Sequence, residues 1–581
     1  MTMATISVWA PRARHTVELD LGGRRIAMVP AARGWYRAEA ADVGPGTDYA
    51  FVIDGRGPYP DPRSPFQPEG PHGPSRIIDH DAFAWTDADW AGLDPRDGVI
   101  YEMHLGTFSP SGDADGAIER LDHLVDLGVT SVCVLPVVQF SGRRNWGYDG
   151  VGLFAPHDAY GGPDGVKRLV DACHARGLGV ILDVVYNHVG PEGNYLGMFG
   201  PYFTDFYRTP WGEAVNFDKA GSDEVRRFVI DNALMWFRDY HVDGLRLDAV
   251  HAIVDTSARH VLEELSAEVD ALEARLGRPL TLIAESDLND PRLCRPRDVG
   301  GFAIEAQWSD DFHHALHAVV TGEVSGYYAD FGRLEHLATA LRRGWVYAGD
   351  YSAHRGRRHG RSPAGLHPSQ LLGYIQNHDQ VGNRAVGDRL AGLVGPGRVR
   401  IAAALTLLSP FTPMLFQGEE WGSVRPFQYF TDHQDRELGR AVAQGRRAEF
   451  ASFGWSPDEV PDPQDPATFE RSVLDWDEQT RQPHAVILEW YRALVALRAA
   501  TPELREGGFG HTHVEVDDDA GWLVMVRDPL VVAVNLAPTT RRVAVPRGRI
   551  VLASDGAAAV VDGHVDLPAD AVAVLDQRRD P

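Results

Sequence analysis

The sequence predicts a (β/α)8 barrel carried between an N-terminal and a C-terminal β-sandwich. Eight short apolar runs between Val99 and Glu419 alternate, for the most part, with segments of helical periodicity, and eight such units are the count of this barrel. Before about residue 95 and after about residue 505 the alternation gives way to short strands separated by turns. At 581 residues the chain also exceeds what one core organises, so two to four domains are expected.

Residues 1–95 form the predicted N-terminal sandwich. Ile6-Ser7-Val8-Trp9, Val17-Glu18-Leu19-Asp20-Leu21 and Tyr49-Ala50-Phe51-Val52-Ile53 are its strand-like runs, and Gly22-Gly23, Gly44-Pro45-Gly46 and Asp54-Gly55 are its turns. The Pro/Gly-rich segment from Gly57 to Pro74 reads as an ordered connection packed on the next domain. The barrel is assigned to residues 96–505. Its strands are expected at Val99–Phe108, Val129–Val137, Val180–Val185, Gly244–Val250, Leu282–Ser286, Ala303–Trp308, Leu371–Asp379 and Pro413–Glu419. Helices are expected at Gly116–Leu127, Asp164–Arg176, Asp223–Tyr240, Ser257–Leu276, Arg398–Leu408 and His484–Ala499, with Gly128 and Gly177 as C-caps of the first two. Residues 506–581 return to β patterning, in Trp522–Val526, Leu530–Val534 and Ala571–Leu575.

Composition narrows the function classes. The apolar fraction of 44% and the charged fraction of 24% are those of an ordinary soluble protein. A net charge of −26 lacks the basic footprint that nucleic-acid binding needs. Three cysteines, Cys133, Cys173 and Cys294, are too few and too odd for a disulfide framework, and point to a reducing compartment. The N-terminus shows no basic region followed by an apolar run, and no uncharged stretch is long enough to span a bilayer, so the expected location is the cytoplasm.

Catalytic residues of such barrels collect at the C-terminal ends of the strands. The third strand ends Asp183-Val184-Val185-Tyr186-Asn187-His188, the fourth in Asp248, the fifth Ala284-Glu285-Ser286-Asp287 and the seventh Gln376-Asn377-His378-Asp379. In the fourth, Arg246 and Asp248 share one side of a strand, and the guanidinium favours the ionised form of Asp248. Taken alone, that pair reads equally well as a nucleophile or as a structural ion pair. Three carboxylates, Asp248, Glu285 and Asp379, at one mouth with Arg246, His188 and His378 fit a catalytic constellation better than separate rim ion pairs. Two carboxylates flanking a bond are the equipment of glycoside hydrolysis. Asp248 suits the nucleophile and Glu285, desolvated and near negative charge, the acid. Asp379 would stabilise developing positive charge, with neutral His188 and His378 as hydroxyl donors.

The segments Asp183–His188, Gly244–His251, Ala284–Asp287 and Asn377–Asp379 resemble the four signature regions of the α-amylase superfamily of retaining glycosidases. The resemblance implies Asp248 as nucleophile, Glu285 as general acid/base and Asp379 as transition-state stabiliser. It implies substrate binding by Arg246, His188 and His378, a structural role for Asp183, and a sugar-stacking Tyr148 in Asn145-Trp146-Gly147-Tyr148-Asp149-Gly150. Asn187 and His251, inside the same regions, are included among the substrate-binding residues. The first sandwich, with Val8-Trp9-Ala10-Pro11, resembles the immunoglobulin-like, carbohydrate-binding module that precedes the barrel in branching and debranching members. The runs Trp146–His157, Gly190–Tyr195, Ala284–Asp290 and Gln376–Arg384 are similar to those of the malto-oligosyltrehalose trehalohydrolases. That implies a malto-oligosaccharide substrate bearing a terminal trehalose, no cofactor, and a malto-oligosyltrehalose synthase as pathway partner without physical contact. A glucan branching enzyme is the transferase alternative, and a catalytically silent glycan-binding barrel the non-enzymatic one. Asn377-His378-Asp379-Gln380 departs from the Ser-His-Asp-Glu of branching enzymes, and Ser286-Asp287 from the Pro-Trp of debranching ones.

Three further features stay open on sequence. His313 and His317 lie four apart on a probable helix, but His314 stands where a zincin has its glutamate, so a polar helix face is favoured over a metal site, and no metal is expected. Trp308, ending the sixth strand, either stacks on a sugar or packs in the core. Arg355, Arg357, Arg358 and Arg361 form either a solvated loop or a donor set for hydroxyls of the trehalose end.

Overall fold

The computed structural model describes residues 3–41, 43–451, 456 and 458–579. Eight parallel strands close into a barrel: β1 (Ile100–Met103), β2 (Ser131–Val134), β3 (Gly179–Val184), β4 (Gly244–Leu247), β5 (Thr281–Ala284), β6 (Ala306–Trp308), β7 (Leu371–Gly373) and β8 (Thr412–Phe416), which pairs back to β1. Each overlaps a run predicted as a strand, and all but β3, which has the predicted length one residue earlier, are shorter than predicted. The chain leaves the sheet where the polar strand-end residues begin. After β7 it passes into a short helix, His378–Gly382, and after β1 into another, Leu105–Phe108.

Strands buried on both faces need apolar residues at successive positions. One set, including Ile100, Cys133, Ile181, Ile283, Leu372 and Met414, fills the barrel interior as a separate cluster. The other, including Val132, Val180, Leu245 and Leu282, packs in the main core with the surrounding helices. Helices Gly162–His174, Ser222–Asp239, Val261–Leu276, Pro396–Leu407 and His484–Ala499 lie in the predicted segments. The segment expected as one helix over 116–127 is two, Ala114–Ile118 and Leu121–Leu127, and Gly128 caps the second at φ +89°, its N–H donating to the Leu124 carbonyl at 3.1 Å. Between β6 and β7 lie Asp310–Thr321 and Leu334–Arg343; the first bears His313 and His317.

The N-terminal region pairs a three-stranded sheet (Met3–Trp9, Val29–Pro30, Trp35–Ala41) with a larger one built on Val17–Leu21 and Asp48–Ile53. Arg56–Tyr59, partly inside the segment expected as a connection, is an edge strand, where Pro58 costs no ladder hydrogen bond. Past it the connection does pack on the barrel: Arg63 Nη1 donates to Asp231 Oδ2 at 2.8 Å on the Ser222–Asp239 helix. The C-terminal region faces a five-stranded sheet, including Trp522–Arg527, Leu530–Asn535 and Ala571–Asp576, with a three-stranded one. Val531, Ala533 and Leu575 fill the space between the sheets, while alternate residues Val532, Val534 and Val574 join the barrel's core. Among the described residues no helix is long and apolar enough to cross a membrane.

Candidate active site

The strand ends open into a cavity of about 520 Å3 whose wall includes Tyr148, His188, Asp248, His251, Glu285 and Asp379. The remaining residues expected from sequence, Asp183, Asn187, Arg246, Trp308 and His378, stand behind that wall.

Arg246 organises the site. β3 and β4 set Asp183 opposite Arg246 in register, and the chain carries Asp248 back to the same side. Arg246 Nη1 lies 2.8 Å from both Asp183 Oδ2 and Asp248 Oδ1, and Nη2 lies 3.6 Å from Glu285 Oε2. One guanidinium, only 1% exposed, therefore meets carboxylates from three adjacent strands. Buried charge is tolerated only in such company. Burial opposes the Arg246 charge, yet the Asp183 carboxylate and its neighbours hold the proton more firmly than usual. Burial pushes the Asp183 carboxyl up to about 6 against the pull of Arg246.

The carboxylates differ in their surroundings. Asp248 Oδ2 accepts from Asn187 Nδ2 at 3.0 Å. Glu285 Oε2 accepts from the Ala249 N–H at 2.6 Å. Ala249 has φ +38°, a left-handed conformation that a non-glycine residue rarely adopts, and that turn, directly after Asp248, brings its N–H to Glu285. Burial raises the Glu285 carboxyl well above the usual range; Arg246 works against the rise and the Asp248 charge adds to it. Asp379 is the most exposed of the three, its side chain 39% accessible, and accepts from Asn383 Nδ2 at 3.2 Å.

His378 differs from the sequence expectation. Its backbone N–H and its Nδ1 lie 2.8 Å from the two carboxyl oxygens of Glu102, and its Nε2 lies 3.4 Å from Asp379 Oδ2. Burial works against its charge, but Asp379 and Glu102 together raise it to about 9, so the ring is a cation at neutral pH and not the neutral donor expected. Tyr148 stacks on this ring at 5.2 Å and 18°; its hydroxyl lies 2.7 Å from Nε2 and donates to Asp183 Oδ2 at 2.6 Å. For His188, burial lowers the pKa, against the pull of the Asp248 charge. Its role as a free hydroxyl donor is not supported, because Nε2 lies 2.9 Å from the Tyr148 carbonyl oxygen and Nδ1 lies 2.9 Å from Asn187 Oδ1.

Trp308 is also corrected. It is 3% exposed and absent from the cavity wall, and the Arg246 guanidinium lies 4.4 Å from its ring centroid. The tryptophan is the apolar floor under Arg246 rather than a sugar platform. His313 Nε2 lies 3.0 Å from the Tyr328 hydroxyl and His317 Nε2 2.6 Å from Glu323 Oε2. Among the described residues no group of three potential ligands could hold a metal ion.

Several wall residues were not predicted: Trp211, Asp287, Asp310, His314 and Tyr429. Trp211, 48% exposed, sits at the turn of the hairpin Phe203–Thr209/Gly212–Val215 and stacks on His188 at 4.5 Å. Burial pushes the Asp310 carboxyl up to about 7, while the Tyr374 hydroxyl that donates to it works the other way. Glu102 carried a usable signal, since Tyr101-Glu102-Met103-His104 ends β1 as the other catalytic segments end theirs.

The alpha amylase, catalytic domain family matches residues 78–199, and a Domain of unknown function (DUF3459) matches residues 507–574. Over the whole length the similarity is closer. A malto-oligosyltrehalose trehalohydrolase from Rhizobium sp. (strain M-11) is 52% identical over 98% of this chain and 97% of its own. Another, from Arthrobacter ramosus, is 52% identical over 98% and 99%. The chain belongs to the malto-oligosyltrehalose trehalohydrolase family. A 1.4 Å crystal structure of an alpha-amylase-type protein from Salmonella typhimurium has the same architecture, with a TM-score of 0.91 at 40% identity over 99% of this chain and 97% of that one. Similarity to a 1,4-alpha-glucan branching enzyme from Corynebacterium efficiens is 31% over 52% of this chain and 46% of that protein, a partial match beside the full-length trehalohydrolase ones.

Proposed function

We propose that this chain hydrolyses the α-1,4-glucosidic bond adjoining the terminal trehalose of malto-oligosyltrehalose, releasing free trehalose with retention of configuration. The observation that carries this reading is the convergence of Asp248, Glu285 and Asp379 on one cavity, in a chain similar to trehalohydrolases from end to end. Retention requires a nucleophile and an acid/base on opposite sides of the bond. Asp248, held by Arg246 and Asn187, attacks the anomeric carbon. Glu285, which burial keeps protonated, gives its proton to the departing trehalosyl oxygen. The resulting glycosyl ester on Asp248 is then opened by water, whose proton Glu285 takes. Asp379 faces the positive charge that develops on the ring, and the Tyr148 ring, braced by His378 and Asp183, supports the sugar. His251 and the His188 face contribute to the wall against which the substrate lies.

The substrate is a malto-oligosaccharide ending in trehalose, supplied by a synthase that need not touch this protein, and the reaction is placed in the cytoplasm. The test is to incubate the protein with maltopentaosyl-trehalose, maltohexaose and amylose and resolve the products. Free trehalose from the first, with little action on the others, is expected. New α-1,6 branches in amylose would establish a transferase instead, and glucan affinity without turnover a binding protein.

A further inference from the structure

We propose that Arg446, on the helix Arg436–Ala451 that follows β8, is a positioning residue: its guanidinium fixes the C-terminal end of the short helix that carries Asp379, and so aims that carboxylate at the charge developing on the sugar ring. The inference rests on the hydrolytic reading above and on the role it gives Asp379. Arginines approach this site in different ways. Arg355, at the turn of the hairpin Tyr351–Ser352/Arg357–Arg358, is part of the cavity wall, while Arg357, Arg358 and Arg361 of the same basic run are exposed. Arg446 stands behind the wall and touches what holds it up.

The helix His378–Gly382 has five residues, little more than one turn, so its terminal groups need partners from outside. Asn377 closes its start, accepting from the Gln380 N–H at 2.7 Å, and the Asn383 N–H donates to the Asp379 carbonyl at 2.8 Å. The last carbonyl, that of Gly382, accepts from Arg446 Nη2 at 2.6 Å. On its other side Gly382 has no room to move, since a Cβ there would lie 2.1 Å from the ring of Trp146, a wall residue. The helix end is thus held between an indole and a guanidinium. The next residue, Asn383, donates through Nδ2 to Asp379 Oδ1 at 3.2 Å, and Asp379 is too exposed for packing to fix it. A displacement of the Gly382 carbonyl is therefore passed through Asn383 to the carboxylate.

The guanidinium is itself set by its surroundings. Its central carbon lies 5.3 Å from the ring centroid of Tyr429, on the cavity wall, and 4.5 Å from that of Phe450, while Nη1 donates to Glu449 Oε2 at 3.4 Å. The side chain is 9% exposed. Burial draws its pKa down, and Glu449 and Tyr429 hold it up; an arginine so placed stays a cation. Other arginines of the helix are used differently: Arg447 pairs with Asp462 at 3.2 Å, and Arg436 and Arg440 are exposed. Arg446 alone among them is buried with its shortest hydrogen bond on a backbone carbonyl three residues from Asp379. That contact serves geometry, because a carbonyl neutralises no charge.

The test compares the full-length protein with Arg446→Met, which keeps an apolar stem and no donor, and with Arg446→Lys, which restores a donor. Asn383→Ala and the double variant Arg446→Met/Asn383→Ala complete a cycle, all assayed on maltopentaosyl-trehalose. Arg446→Met should lower kcat about 10- to 100-fold, with KM and the inhibition constant of trehalose within about 3-fold of the parent's. Arg446→Lys should recover part of the loss, because an ammonium can reach the carbonyl but does not reproduce the guanidinium fork. The double variant should lose little more than the weaker of its two parents, since both changes act through Asp379. Melting curves establish that each variant is folded at the assay temperature, and if Arg446→Met is not, Arg446→Lys takes its place in the cycle. Losses that multiply in the double variant, equal losses in the Met and Lys variants, a change in KM alone, or no loss would overturn the assignment. Failure of the unaltered protein to release trehalose at all would instead remove the hydrolytic reading beneath it.

Discussion

Glu102→Gln removes one of the two carboxylates, Asp379 and Glu102, that make His378 a cation. Glu102 is 1% exposed and both of its oxygens are committed, one to the His378 N–H and one to Nδ1, each at 2.8 Å. A glutamine offers one carbonyl and one amide NH2. The backbone N–H can only donate, so it keeps the carbonyl, and the NH2 then faces Nδ1. Two donors cannot share that contact, so the imidazole must give up its Nδ1 proton. The gap between the ordinary 6.5 and the folded value of about 9 corresponds to about 3 kcal/mol, which Asp379 and Glu102 share, so the variant loses only the Glu102 part of it. The folded value lies above the unfolded one. The contribution is therefore fully present below pH 6.5 and lost as pH rises through about 9. Thermal denaturation should show a gap between parent and variant that is widest near pH 6 and narrows steadily toward pH 9.5.

Turnover should move in the same direction. The alkaline limb is best read with α-maltopentaosyl fluoride, whose departure does not require the Glu285 proton. The parent should hold its kcat to about pH 8 and fall near 9, while Glu102→Gln, which keeps Asp379, declines about one pH unit earlier and loses about 10-fold at neutral pH. An alkaline limb within about half a unit of the parent's, or a denaturation gap that does not change with pH, would refute the reasoning and leave Glu102 a packing residue.

Asp248→Asn should keep the fold, because Arg246 retains Asp183 as a partner, yet lose about 10⁴-fold or more in turnover; substantial residual activity would remove the nucleophile assignment. Trp308→Ala should cost about 3–5 kcal/mol of stability and lower kcat by releasing Arg246, without weakening inhibition by trehalose; a rise in KM alone, at full stability, would return the residue to sugar contact. Trp211→Ala, at an exposed hairpin turn, should raise KM a few-fold with stability changed by no more than about 0.5 kcal/mol, and an unfolded variant would contradict that.

The barrel was legible because its strands announce themselves by composition. A run such as Val180-Ile181-Leu182 is buried on both faces and reads as strand without reference to its neighbours. Strand ends were less legible. The predicted Leu371–Asp379 run continues six residues past the true end of β7, since apolar Tyr374 and Ile375 prolong the signal after the backbone has left the sheet. The hairpin that carries Trp211 and the one that carries Arg355 have no periodic pattern, so their reach into the cavity is set by long-range contacts such as His359 with Asp287. Arg355 was grouped with its neighbours by charge, and only placement separates it from them.

Charge state was the least legible property, and the reason is geometric. From sequence, Arg246 beside Asp248 suggests one ion pair, and His378 beside Asp379 suggests a neutral donor. In the folded protein Arg246 is shared among Asp183, Asp248 and Glu285, so it cannot fully compensate any one of them. Asp183 rises to about 6 and Glu285 higher than its usual range, both through burial that a shared cation offsets only in part. His378, conversely, has Glu102 to itself on one side and Asp379 on the other. The site thus places one cation among three acids on the β3–β5 side, where a proton must be held for donation, and two acids around one imidazole on the β1–β7 side, where positive charge must be kept. Neither ratio is readable from adjacent residues, because each is assembled from strands far apart in the chain. The same asymmetry yields a proton-bearing Glu285 opposite a charged His378, which is the division that cleavage of a glycosidic bond through Asp248 requires.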